Sequence, residues 1–232
     1  MGAAYARAGQ RVLDIGCGDG ALVRRLADDF DVVGVDPDAA PSDSIRAARL
    51  EELDEAPFDV LFASVSLHHL DDPGVAAASL RRLSTPGSTM LVREFDRMAM
   101  DHDATLRWWF GHGHEHEATD VFEADAELSS PPASFEAFAS RWRQEMEHHV
   151  MPWRVVRAML LDTGFDTVEE TSVAYLFRWK LGEHVRAEEE RLGADGTIRL
   201  VGRRWRGRRA PPPTALTPTP ATEASRSASR PM

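Results

Sequence analysis

The chain has 232 residues, 28% of them charged and 43% hydrophobic, with a formal net charge of −11. That length supports one domain with a sizeable core plus appendages, and the acidic balance excludes a general nucleic-acid binder, which needs a basic field. No stretch reads as a membrane span or a signal peptide, and a single cysteine, Cys17, excludes a disulfide framework, so a reducing, cytoplasmic setting is expected.

The first ten residues are Ala-rich and hold barely one helical turn, so any cap over a ligand site is expected from later in the chain or from a start upstream of Met1. Arg11 to Ile15 reads as a strand, Ala21 to Asp28 as a helix with Leu22, Val23 and Leu26 inward, and Val32 to Asp36 as a second strand. Between the first strand and the helix stand Gly16, Gly18 and Gly20 at alternate positions. Without a Cβ, such a turn adopts positive φ and lets a ligand lie against bare backbone. Pro37 to Ser44 carries two prolines and turn chemistry, so no helix is expected there. A brief third strand, Ile45 to Ala48, leads into Leu50-Glu51-Glu52-Leu53. Pro57 to Leu70 holds a fourth strand, and Leu80 to Val92 reads as the end of a helix, a Pro-Gly turn and a fifth strand.

Residues 96–160 are rich in Trp, His and acids and read as an insert with two helical pieces, Ala104 to His112 and Ser134 to His149, broken by Ser129-Ser130-Pro131-Pro132. A helix ending at the glycine cap Gly164 follows. Val173 to Phe177 and Thr197 to Val201 are expected as a closing antiparallel pair. Arg203 to Arg209 is expected as a solvated strand end, and the Pro/Ser/Thr/Ala-rich residues 210–232 as a disordered tail.

A glycine turn after one strand and a carboxylate ending the next is how doubly wound α/β folds hold an adenosine cofactor. Gly16-x-Gly18-x-x-Ala21 also fits the dinucleotide fingerprint, in which a helix N-terminus receives a pyrophosphate. Asp14, two residues before Gly16, would repel a pyrophosphate and suits a cationic ligand. S-adenosylmethionine carries a sulfonium and an ammonium and no phosphate. On these residues the chain resembles the class I S-adenosylmethionine-dependent methyltransferases, whose first motif reads Asp/Glu-x-Gly-x-Gly-x-Gly; Asp14, Gly16, Gly18 and Gly20 fill it. Pro57 to Leu70 and Leu80 to Val92 resemble the family's fourth-strand and fifth-strand segments.

The resemblance implies an α/β, doubly wound, Rossmann-like and mostly parallel sheet, with an antiparallel final strand and a helical lid insert at 96–160, together forming a methyltransferase domain over residues 1–209. It implies methyl transfer from S-adenosylmethionine to a small organic acceptor; charge, hydropathy and histidine spacing point to no nucleic acid, no membrane and no metal. In that family's pattern Asp14 holds the cofactor's ammonium end, Asp36 with Pro37 takes the ribose, and Gly16, Cys17 and Gly18 give backbone access. Leu50 and Glu51 read adenine, with Arg49 standing where an acid is common, and Ser64 and Val65 flank the adenosine. His68 and His69, just past the fourth strand, and His102 in the insert are the candidate bases. His148 is a weaker one. His112-x-His114-x-His116 matches no zinc spacing, and Trp108, Trp109 and Trp142 are expected in the core between lid and sheet. Two alternatives stand beside this reading: a cofactor-binding scaffold or partner subunit without catalysis, and an NAD-dependent oxidoreductase. Acceptor atom and oligomeric state stay open.

Overall fold

The computed structural model describes residues 7–113, 134–149, 151–178 and 182–211. The expected break at 129–132, His114, His116 and nearly all of the expected tail lie outside the described residues. Seven strands form one sheet: β1 (Arg11–Ile15), β2 (Asp31–Val35), β3 (Ile45–Arg46), β4 (Phe58–Ser64), β5 (Ser84–Phe95), β6 (Phe165–Val173) and β7 (Gly202–Arg209). Their order is β3-β2-β1-β4-β5-β7-β6. The pairs from β3 to β5 are parallel, and β7 runs antiparallel to both β5 and β6. This is the expected doubly wound, mostly parallel α/β sheet.

Helices cover both faces because the central strands are apolar on both sides, as parallel strands require. On one face Leu13, Leu61, Met90 and Val92 pack against α2 (Pro73–Arg82) and α6 (Trp153–Asp162). On the other, Val12, Val32, Val60 and Leu91 meet Val23 and Leu26 of α1 (Ala21–Leu26). The start of α2 is fixed locally. Pro73 occupies its first turn and the Asp72 carboxylate accepts from Gly74 N at 2.7 Å and Val75 N at 3.1 Å, a cap of about 1 kcal/mol. Residues 37–44 form turns and an isolated bridge, with no helix, as their prolines predict.

A third apolar cluster lies beyond β5. There α3 (Arg97–Met100), α4 (Asp103–Gly113) and α5 (Phe135–His149) surround Trp109 and Trp142, whose rings meet edge to face at 5.1 Å. The two expected insert helices therefore form, and Trp109 and Trp142 are buried core residues.

The closing pair departs from expectation. The strands are Phe165–Val173 and Gly202–Arg209, rather than Val173 to Phe177 and Thr197 to Val201. Edge strand β6 buries only Phe165 fully, with Val168 exposed and Val173 half-buried at its end, so it carries no apolar alternation to read. The apolar run Ala174 to Phe177 is buried as a turn because the Glu189 carboxylate accepts from Tyr175 N (2.7 Å), Leu176 N and Phe177 N (both 3.0 Å). Those amides are then satisfied without a neighbouring strand. Glu189 sits on α7 (Glu183–Ala194), a helix the sequence pattern did not signal. Arg203 to Arg209 is no solvated end; it is the strand between β5 and β6. Arg203 pairs with Asp96 at 2.8 Å, Arg206 with Glu169 at 3.5 Å, and Arg209 donates to the carbonyls of Arg81 and Ser84.

Candidate functional site

A cavity of about 540 Å³ opens where β1, β2 and β4 end. The strand order reverses between β1 and β4, and this crevice is where open α/β sheets bind ligands. Gly16 (φ 70) turns the chain out of β1. A Cβ there would stand 2.3 Å from Ser66 Cβ, so the position admits only glycine. Ser66 Oγ in turn donates to Ile15 O at 2.7 Å, tying the loop after β4 to the end of β1. Val65 holds φ 59, a costly conformation for a β-branched residue. It is locked there by its N–H bonding to Arg93 O at 2.7 Å.

Acidic side chains dominate the electrostatics. Asp14 is 4% exposed, and its carboxylate makes no hydrogen bond to a described residue. Burial first, then the Asp36 charge, pushes its carboxyl up to about 6. A buried carboxylate without a protein partner favours a cation beside it. Asp36, at the end of β2, accepts from Gly18 N and Asp38 N, both at 2.9 Å, one bond to each oxygen. Each oxygen keeps further acceptor capacity, which suits a pair of neighbouring hydroxyls. Ile15, Val35, Leu50 and Val65 supply apolar wall. The amides of Leu50 and Glu51 open a 3-10 turn and make no bond within it. This donor set, with an unpaired buried carboxylate, a two-oxygen acceptor and an apolar slot, fits an adenosine ligand bearing a cationic tail.

Of the residues singled out in the sequence, Gly16, Asp36, Pro37, Leu50, Glu51, Val65 and His69 line this one cavity. Asp14, Cys17, Gly18 and Ser64 are not on its wall. The Cys17 thiol is held protonated, its pKa pushed up to about 11 by burial and by the Asp14 and Asp36 charges. The two histidines part company. Nδ1–H of His68 donates to buried Glu94 Oε1 at 2.7 Å, so that ring is tied under the sheet. His69 faces the cavity, and its pKa is lowered by burial and by the neighbouring His68, which leaves the imidazole neutral at pH 7. His102 lies between α3 and α4, away from the cavity wall.

Ser66 and Glu94 escaped the sequence reading, and so did the partner of Arg49. Ser66 lines the cavity. Glu94 fixes the His68–His69 turn by also accepting from Leu67 N and Phe95 N, both at 3.1 Å. Arg49, where an acid was looked for, reaches Asp71 at 2.5 Å across the cavity rim. An acid at a buried strand position was the available signal for Glu94; the other two depend on contacts between distant segments.

Residues 2–169 match the family model described as "Methyltransferase domain". An uncharacterized methyltransferase of Mycobacterium bovis is 33% identical over 138 residues, 53% of this chain and 70% of that protein. A ubiquinone biosynthesis O-methyltransferase of Hahella chejuensis is 34% identical over 106 residues, 38% of this chain and 44% of that protein. Among solved structures, an S-adenosylmethionine dependent methyltransferase from Mesorhizobium loti superposes with a TM-score of 0.53 at 15% identity, covering 88% of this chain and 92% of that one. The glycine turn, the sheet order and these matches agree: the chain belongs to the methyltransferase domain family and is a class I methyltransferase with S-adenosylmethionine as its cofactor.

Proposed function

We propose that the chain methylates a small organic acceptor whose nucleophile must lose a proton, such as a phenolic hydroxyl, with His69 as the general base. The observation that carries this reading is the His69 imidazole on the cavity wall beside His68; burial and His68 lower its pKa, which favours the neutral form that can accept a proton. Likeness to an O-methyltransferase supports a hydroxyl acceptor.

S-adenosylmethionine, when bound, supplies a methyl on a sulfonium, open to in-line displacement. The protein's own tasks are orientation, exclusion of water and removal of one proton. Asp14 takes the ammonium end. Asp36 accepts from the ribose hydroxyls, with Pro37 stiffening the turn beneath it. Gly16, Cys17 and Gly18 supply the backbone of the turn, and Leu50, Glu51 and Val65 the adenine slot next to Ser64. Glu94 is a positioning residue: by anchoring Leu67, His68 and Phe95 it sets the direction of the His69 ring. The insert acts as a lid on the acceptor side, and it is coupled to the histidine turn where Met151 N bonds to His68 O at 3.1 Å. His68 has its Nδ1 committed to Glu94 and His102 is not on the cavity wall, so both leave the base role to His69.

The test is a methyl-transfer screen with a labelled donor and a panel of phenols, quinols, acids and amines. Turnover should appear with a hydroxyl acceptor and fall about 100-fold or more in His69→Gln, while S-adenosylhomocysteine affinity stays within about twofold. Equal turnover in the variant would remove His69 as base. Tight cofactor binding with no transfer to any acceptor would favour the non-catalytic scaffold, which the lost helix after β2 makes worth testing.

A further inference from the structure

A second cavity, of about 230 Å³, lies at the same edge of the sheet, beyond β5 and under α7. Four of its lining side chains are arginines: Arg93 from β5, Arg204 from β7, Arg178 from the turn after β6 and Arg186 from α7. One carboxylate, Glu190, shares the wall, and it is already bonded to Arg186 at 2.8 Å. Arg93 and Arg204 are directly opposed across the β5–β7 ladder, a like-charge pairing that costs stability in any sheet. Both Nε atoms are buried and find no hydrogen-bond acceptor among the described residues. Elsewhere on β7 such charges are paired: Arg203 has Asp96 and Arg209 has backbone carbonyls. Where the strand passes the cavity that provision stops.

Among the described residues Arg93 has only the Tyr175 ring, 6.0 Å from its guanidinium carbon, and neither Arg93 nor Arg204 has a carboxylate partner. The arrangement concentrates guanidinium groups in a concave, part-dry space, burial together with Arg178, Arg204 and Arg186 lowering the Arg93 pKa to about 10. Guanidinium forks match the paired oxygens of carboxylates and phosphates. Three carboxylate-derived bonds to the amides of Tyr175, Leu176 and Phe177 hold the turn that carries Arg178, so the cluster is preorganised. The volume admits an oxyanion and the few atoms attached to it, which selects a small molecule over a polyanion.

We propose that the cavity between β5, β7 and α7 is an oxyanion site that binds the carboxylate or phosphate group of a small molecule through Arg93 and Arg204. The site is independent of the cofactor cavity and does not rest on the identity of the acceptor. Its position does link the two: the carbonyl of Arg93 fixes Val65, which lines the cofactor cavity. The anion is thus either the acidic end of the methyl acceptor or a free ion acting on the same loop.

Calorimetric titration of the full chain with inorganic phosphate, with ionic strength held constant by chloride, tests the site. Saturable binding is expected, weakened about tenfold or more in Arg93→Gln and Arg204→Gln and unchanged in the exposed control Arg24→Gln. S-adenosylhomocysteine affinity should be the same in all of them. Arg178→Gln, in the turn after β6, provides a second reading if either strand variant fails to fold. Absence of saturable binding, or equal binding in Arg93→Gln, Arg204→Gln and Arg178→Gln, overturns the proposal. The source of the anion is separated by comparing a hydroxybenzoate with its methyl ester as acceptors. A KM rise in Arg93→Gln confined to the acid assigns the group to the acceptor. A phosphate effect on turnover of the ester, lost in Arg93→Gln, assigns a free ion.

Discussion

At the ends of β1, β2 and β4 the cavity is lined by Asp36, Asp38, Glu51, Asp71 and Asp72 around Arg49; at the ends of β5 and β7 a smaller cavity gathers four arginines around Glu190. One sheet edge therefore presents two fields of opposite sign side by side. A cofactor with a cationic tail is drawn to one and an anion to the other, which sorts two ligands before any contact is made. The two regions also differ in construction. The acidic cavity hangs largely on a local motif, with Asp14, Gly16 and Asp36 within 23 residues of one another in the sequence. The basic cavity is assembled from strands, a turn and a helix spread from Arg93 to Arg204.

The sharpest way to break this comparison is at the tightest point of the motif. Gly16→Ala places a methyl 2.3 Å from Ser66 Cβ at φ 70 and should cost about 3–4 kcal/mol, lost from denaturant midpoints together with cofactor binding. Gly18→Ala, with nothing within 4 Å of its added methyl, should cost about 1 kcal/mol from its positive φ alone. Equal losses would mean that the turn, and not the approach to Ser66, sets the requirement. Next, Glu94→Ala strands three buried donors without an acceptor and should cost about 3 kcal/mol. A melting scan should show a fall of roughly 6–12 °C, with turnover reduced in Glu94→Gln by displacement of His69.

Asp36→Ala tests the cofactor side directly. Loss of its carboxylate should weaken S-adenosylhomocysteine binding about thirtyfold, or about 2 kcal/mol, by calorimetry, and leave phosphate binding untouched; a joint loss would merge the two cavities into one. The smallest effect is a gain. Asp14 holds its proton more tightly folded than unfolded, about 6 against an ordinary 3.8, so the chain without cofactor loses stability as pH rises between those values and does not regain it above. Asp14→Asn should therefore raise the melting temperature at pH 7.5 by the equivalent of about 1 kcal/mol or more, with no gain at pH 3.5. In the parent chain cofactor affinity should fall as pH drops below about 6, and in Asp14→Asn it should be weaker and flat. A destabilised Asp14→Asn at pH 7.5 would mean the carboxylate has a protein partner after all.

Legibility followed the same divide. Strands β1 to β5, the glycine turn and the lost helix at 37–44 were readable because apolar runs, glycines and prolines act within a few residues of where they stand. Leu50, Glu51, Val65 and His69, which the family resemblance assigned to the site, do line one cavity. His68 could not be told from His69, since only the tertiary position of Glu94 separates them. Beyond β5 the signals misled: Ala174 to Phe177 looks like a strand and is a buried turn under Glu189, while the arginine-rich Gly202–Arg209 looks like surface and is interior to the sheet. Both inversions arise because long-range carboxylates and carbonyls, and not local pattern, satisfy the groups involved.

The position of β7 has a consequence for synthesis. Its residues 202–209 fill the space between β5 and β6, yet they emerge from the ribosome after both neighbours and after α7. Until then β5 waits with an open edge for more than a hundred residues, a state that invites pairing with another chain. Released chains truncated at Ala194 should be chaperone-bound, and ones ending past Arg209 free of chaperone.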